Sequence, residues 1–155
     1  MGYFRHSVVV NMVALGVWAG AAHAQEAGTR ADAQAMVEAA IQHVKKAGPA
    51  RAFKDFSDKS NARWHHKDLY VFAYNMAGVN VAHGANEKLV GKDFSEFKDP
   101  TGRPLIKLLR ETAMNGGGWV AFQWPHPQTK IIEDKVSYTR KMLNYDGFLG
   151  VGVYR

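Results

Sequence analysis

Three strand-forming runs close this chain with only turns between them, and that succession restricts the fold more than any other feature. Trp119 to Trp124 leads through Pro125-His126-Pro127 into a run from about Ile131 to Met142, and Asp146-Gly147 leads into Phe148 to Tyr154. Runs rich in β-branched and aromatic residues joined by tight turn signals read as hairpins, and consecutive hairpins build an antiparallel sheet.

The preceding residues supply the rest of the architecture. Leu69-Tyr70-Val71-Phe72-Ala73-Tyr74 is apolar on both alternating faces, as a strand covered on both sides is, and Asn75 to Gly78 turns it into a short partner from Val79 to His83. Ala33, Met36, Val37, Ala40, Ile41, Val44 and Ala47 recur at helical spacing, with Thr29 as N-cap, Asp32 in the first turn and Gly48-Pro49 as the stop. Ala50 to Phe56 predicts a second, short helix, and Pro104 opens a third that Asn115 and the following glycines end. Helices and antiparallel strands in this order make an α+β domain. The long N-terminal helix covers one sheet face. The other is left to the third helix and the loop from Gly84 to Pro104, and a half-covered face is where a pocket forms.

The N-terminus reads separately. MGYFRH precedes an apolar run from Ser7 to Ala22 that ends in Ala22-His23-Ala24, the pattern of a signal peptide cleaved after Ala24. The run falls short of the roughly 20 apolar residues a spanning helix needs, which leaves an uncleaved anchor as the alternative. Residues 25–155 then form one periplasmic domain. With no cysteine, thiol catalysis, thiolate metal sites, c-type haem attachment and disulfides are excluded.

The formal charge of +6 is spread singly along the chain, which favours an anionic ligand without naming one. No basic helix or RNA-binding signature points to nucleic acid. His65-His66 and His126 lack metal-ligand spacing, and there is no nucleophile elbow, carboxylate pair or phosphate-binding glycine loop. Neither a metal, a cofactor nor an enzyme is expected.

Individual residues carry two readings each. Lys135 follows Glu133-Asp134 inside a strand: it is either a solvated lysine paired with a nearby acid, or an ammonium in a half-dry pocket that a carboxylate would neutralise. His83, before Gly84, is either a structural histidine capping the next loop or a second donor to the same anion. Tyr70, Tyr138, Trp119 and Trp124 combine an apolar face with one donor, which suits a pocket wall, although strand aromatics more often fill a core. Period-2 alternation sets Trp119 and Trp124 on opposite faces, so the aromatics cannot all line one pocket.

Several strings taken together resemble a known family. DLYVFAYNMAGVNVAHGANEKLVGKD (68–93), KDPTGRPLIKLL (98–109), GGGWVAFQWPHP (116–127), KVSYTRKM (135–142) and GVGVY (150–154) look like a single Cache domain of the second type, the extracytoplasmic sensor part of bacterial chemoreceptors and histidine kinases. The resemblance runs from about Ala33 to Tyr154. It implies a PAS-like five-stranded antiparallel sheet behind a long N-terminal helix, with small ligands, often short carboxylates, held between sheet and loops. Phe122 departs from the family, which often shows tyrosine there.

In receptors of this family the last strand continues into a transmembrane helix, whereas this sequence ends at Arg155, so the expectation is a stand-alone domain. It would present a small organic anion to a membrane receptor or histidine kinase, with a homodimer left open. Lys135 and His83 would hold the carboxylate, Tyr138 and Tyr70 would add hydroxyl donors, and Trp119 and Trp124 would wall the apolar end. The alternatives are an interaction module with a closed pocket and no ligand, and a small hydrolase or lyase.

Overall fold

The computed structural model describes residues 26–155; the signal peptide expected over Met1 to Ala24 lies outside them. Helix α1 (Arg30–Ala47) starts at Thr29, whose hydroxyl accepts the Asp32 N–H at 3.1 Å while Asp32 accepts the Thr29 N–H at 3.0 Å. This reciprocal box satisfies two donors that a helix start leaves open. Gly48 ends α1, and α2 (Pro49–Ser57) follows at once with proline at its first position, where a missing N–H costs nothing.

Strands β2 (Leu69–Asn75), β3 (Asn80–His83), β4 (Gly118–Pro125), β5 (Ile132–Lys141) and β6 (Gly147–Tyr154) form an antiparallel sheet in the order β3-β2-β6-β5-β4. The expected five strands are therefore present. A sixth, β1 (His65–His66), bridges the start of β2 and is too short to leave a periodic signal. The last strand occupies the middle of the sheet, between β2 and β5.

Both faces are covered, each by its own core. Ala33, Val37, Ile41 and Val44 of α1 and Phe56 of α2 pack on Val71, Ala73, Val136, Leu149 and Val151. Leu105, Ile106, Leu109 and Ala113 of α3 (Leu105–Met114) pack on Phe72, Tyr74, Val120, Phe122 and Phe148. Alternation along β2 sorts its residues between the two, as a doubly covered strand requires.

Two joints hold the α3 face in place. After α3 the chain reverses through Gly116 and Gly117 at φ +97° and +91°, and a Cβ on Gly117 would lie 2.3 Å from Arg140 Cδ. Only glycine fits there. The long loop before α3 is pinned by Asp99, whose carboxylate accepts from the Thr101 N–H (3.0 Å) and hydroxyl (2.6 Å), the Arg103 N–H (3.0 Å) and, across on β4, the Gln123 N–H (3.2 Å). Burial acts to raise the Asp99 pKa, but these hydrogen bonds outweigh it and hold the carboxyl below its ordinary range.

Candidate ligand-binding site

Between the sheet and α3 lies a small cavity with aromatic walls of Tyr70, Phe72, Tyr74, Phe122 and Trp124, an aliphatic side of Leu105 and Leu109, and two polar groups, His83 and Lys135. Strand register assembles it. Lys135 on β5 lies opposite Phe122 on β4 and Tyr154 on β6, and His83 on β3 lies opposite Phe72 on β2. Its free volume is about 10 Å³, room for roughly one water molecule.

Lys135 is 2% exposed, and among the described residues no carboxylate forms an ion pair with it. Its Nζ donates to Tyr70 Oη at 2.7 Å and to Tyr154 Oη at 3.3 Å, and it lies 4.1 Å from the Tyr70 ring centre and 4.8 Å from that of Tyr154. Two hydroxyl oxygens and two π faces are what an ammonium can use in a dry site without an acid. They do not replace water fully: burial pulls Lys135 down to about 7, with only Asp68 acting the other way. Burial likewise pushes the Tyr70 hydroxyl well above its ordinary range.

The lysine stem needs room in the sheet, and β6 provides it. A Cβ on Gly152 would stand 2.5 Å from Lys135 Cε and 2.1 Å from Ser137 Oγ. With Gly150 also on this face, β6 presents backbone rather than side chains beneath the site, until Tyr154 closes the row. Tyr154 donates to the Pro125 carbonyl at 2.9 Å and lies 3.1 Å from Tyr70 Oη. The sequence reading did not include Tyr154. Counting back from the Asp146-Gly147 turn places it opposite Lys135, which is the signal that could have found it.

His83 is 2% exposed, and its ring lies tilted 5.1 Å from that of Tyr70 and 6.1 Å from that of Trp124. Its Nδ1 accepts the Asn86 N–H at 3.0 Å, so in the neutral ring the proton sits on Nε2, a donor. Burial, reinforced by Lys135, pulls its pKa down to about 3, so the ring is neutral at physiological pH.

Of the six residues named from sequence, the structure brings Tyr70, His83, Trp124 and Lys135 together at this cavity. Trp119 and Tyr138 lie elsewhere. They pair with each other across β4 and β5 with ring centres 5.3 Å apart and tilted at 54°, and pack against the α1 core, where Arg30 sits 5.1 Å from the Trp119 ring. Lys135 and Tyr138 are separated by an odd number of positions on one strand, which turns them to opposite faces. Among the described residues no group of three or more His, Asp or Glu side chains is placed to hold a metal ion.

Solved structures share this fold. A methyl-accepting chemotaxis protein from Vibrio parahaemolyticus superposes with a TM-score of 0.70 over 80% of this chain and 86% of its own, at 24% identity. A Cache chemosensory domain solved for its recognition of carboxylic acids superposes with a TM-score of 0.67 over 79% of this chain and 90% of its own, also at 24% identity.

In sequence, the chain is 34% identical over 88 residues to the sensor histidine kinase MctS of Rhizobium johnstonii, covering 57% of this chain and 19% of that one. It is 32% identical over 88 residues to the methyl-accepting chemotaxis protein CtpM of Pseudomonas aeruginosa, covering 56% and 16%. The chain thus spans less than a fifth of the length of these relatives. The model of the family Single Cache domain 2 matches residues 7–155, and with its helix-backed antiparallel sheet and a cavity on the opposite face, this chain belongs to that family of extracytoplasmic sensor domains.

Proposed function

We propose that this domain binds a short monocarboxylate without changing it chemically. The observation that carries this reading is the Lys135 ammonium, buried in an aromatic cavity with two neutral hydroxyls and no acid beside it. An isolated buried cation is costly, and a ligand carboxylate compensates it through a charge-assisted hydrogen bond. His83 Nε2–H supplies a second donor, Tyr70 and Tyr154 flank the anion, and Leu105, Leu109 and Phe122 meet its short apolar part. One cation in the cavity matches one negative charge. The carboxylic acids recognised by a structural relative are of this chemistry.

The domain acts outside the cytoplasm, with residues 1–24 as a cleaved leader or retained anchor, and presents its bound state to a membrane receptor or kinase. Calorimetry with acetate, propionate, lactate and pyruvate tests the binding. Lys135→Met is expected to weaken it by about 30-fold or more, since truncating one partner of a buried charge pair costs about 2 kcal/mol at least. Absence of heat from every acid, or an unchanged affinity in Lys135→Met, sinks the reading.

The near-filled cavity favours a second reading, an interaction module whose pocket is closed by its own side chains. A membrane partner captured equally by wild type and Lys135→Met, with no acid retained in native mass spectrometry, would establish that one instead.

A further inference from the structure

The cavity is bordered by a second, larger space. On the outer side of Trp124 lies a groove of about 340 Å³, walled by Leu89, Phe94, Phe97, Pro125 and Ile132, with Lys130 and His126 also lining it. Only His83 and Trp124 line both spaces.

These two shared walls are held differently. His83 is fixed at its ring by the Asn86 N–H and at its backbone by the Ser57 hydroxyl, 3.2 Å from the His83 N–H. Trp124 is half-buried near the end of β4; its contacts with Phe97 (5.6 Å, 71°) and Phe122 (6.4 Å, 79°) are edge-on, and its contact with His83 is tilted at 33°. Leu105, Leu109 and Phe72 are backed by the core, at 2%, 1% and 4% exposure. Phe122 and Lys135 also border a space lined by Asp99, Arg103, Asp134 and Arg155, and Tyr70 borders one lined by Lys59, His65, Lys67 and Asp68, so the wall that leads an apolar ligand chain to mostly apolar space is Trp124.

We infer that Trp124 is the specificity-determining residue of this site, the partition that limits a bound carboxylate to a short chain and whose removal joins the cavity to the outer groove. The inference rests on the carboxylate reading above and adds a size limit set by a single side chain. With the head group on Lys135 and His83, the tail of a longer linear acid is directed at the indole. Without the indole it enters a groove whose walls are mostly apolar.

Calorimetry of wild type, Trp124→Ala and Trp124→Leu against acetate, propionate, butyrate and hexanoate tests this. Wild type is expected to bind acetate or propionate best and to lose affinity at butyrate and hexanoate. Trp124→Ala is expected to reverse that order, gaining about fourfold per added methylene as apolar chain is buried, or about 60-fold from propionate to hexanoate. Trp124→Leu keeps an apolar side chain on β4 and shifts the hexanoate-to-propionate ratio the same way by about tenfold; it decides the question if the alanine variant does not fold.

If wild type binds the short acids and both folded variants keep its order of affinities, the partition is overturned while the carboxylate reading stands. If none of the proteins binds any acid, both fall together.

Discussion

A lysine surrounded by rings and hydroxyls makes the fold's stability depend on pH with a definite sign. Folding pulls Lys135 from its ordinary 10.5 to about 7, so between these values the unfolded chain holds a proton that the folded chain has released. Stability therefore rises with pH through this window, by up to about 1.4 kcal/mol per unit, and the full penalty is present below about pH 7. The window closes near pH 10, where unfolded tyrosines ionise while buried Tyr70 keeps its proton. Urea midpoints measured between pH 7 and about 9.5 should climb in wild type and stay flat in Lys135→Met, which should also be the more stable protein at neutral pH. Ligand affinity should follow the opposite course: above pH 7 the free site loses its ammonium, and the dissociation constant of acetate should rise toward about tenfold per pH unit. A flat affinity across that range would remove Lys135 from the anion's contacts. At this scale the sequence named together Lys135 and His83, which the structure places at one cavity. Tyr138 and Trp119, named with them, lie on the α1 face instead, as strand alternation separates Tyr138 from Lys135 and Trp119 from Trp124.

At the scale of elements, β6 shows how a strand makes a site by omission. Phe148, Gly150, Gly152 and Tyr154 share the cavity face, and the two glycines leave a trough in which Lys135 lies. Gly152→Ala would push a methyl against Lys135 Cε and Ser137 Oγ, with a cost of about 1 to 3 kcal/mol by urea unfolding and a displaced ammonium that weakens acetate binding. If binding survives unchanged, the trough has no part in positioning the lysine. The loop before α3 has its own anchor in Asp99, and Asp99→Ala would leave the Gln123 N–H and the turn amides without their acceptor. A loss of about 1 to 3 kcal/mol in chemical denaturation is expected, and a change within 0.5 kcal/mol would place the anchoring elsewhere. Elements with a repeating signal were readable from sequence: α1 from its apolar stripe and capping residues, β4 to β6 from alternation and turns. β1 was not, being two residues long, and neither was the Asp99 anchor, because a side chain reaching 24 residues along the chain to a backbone amide leaves no periodicity behind.

Across the whole molecule, one sheet serves two cores. Strands β2, β5 and β6 send alternate residues into the α1 core and into the α3 face with its cavity, so neither core can come apart while the other keeps its strands paired. The long helix that a sensor domain of this family carries at its N-terminus therefore lies on the far side of the sheet from the cavity, and the strands are the material that joins them. A bound anion acts on this arrangement through mass action: at a hundred times its dissociation constant, a ligand of the folded state adds about 2.7 kcal/mol. Because the two cores share their strands, that gain should be global. Acetate at such a concentration should move the urea midpoint equally whether unfolding is followed by far-UV circular dichroism or by tryptophan fluorescence, which in Trp124→Phe reports, among the described residues, only Trp64 and Trp119 of the α1 face. A shift confined to the probe of wild-type Trp124, with the α1 face melting at its ligand-free midpoint, would mean that the two faces unfold separately and that the sheet does not carry the ligand's effect to the helix.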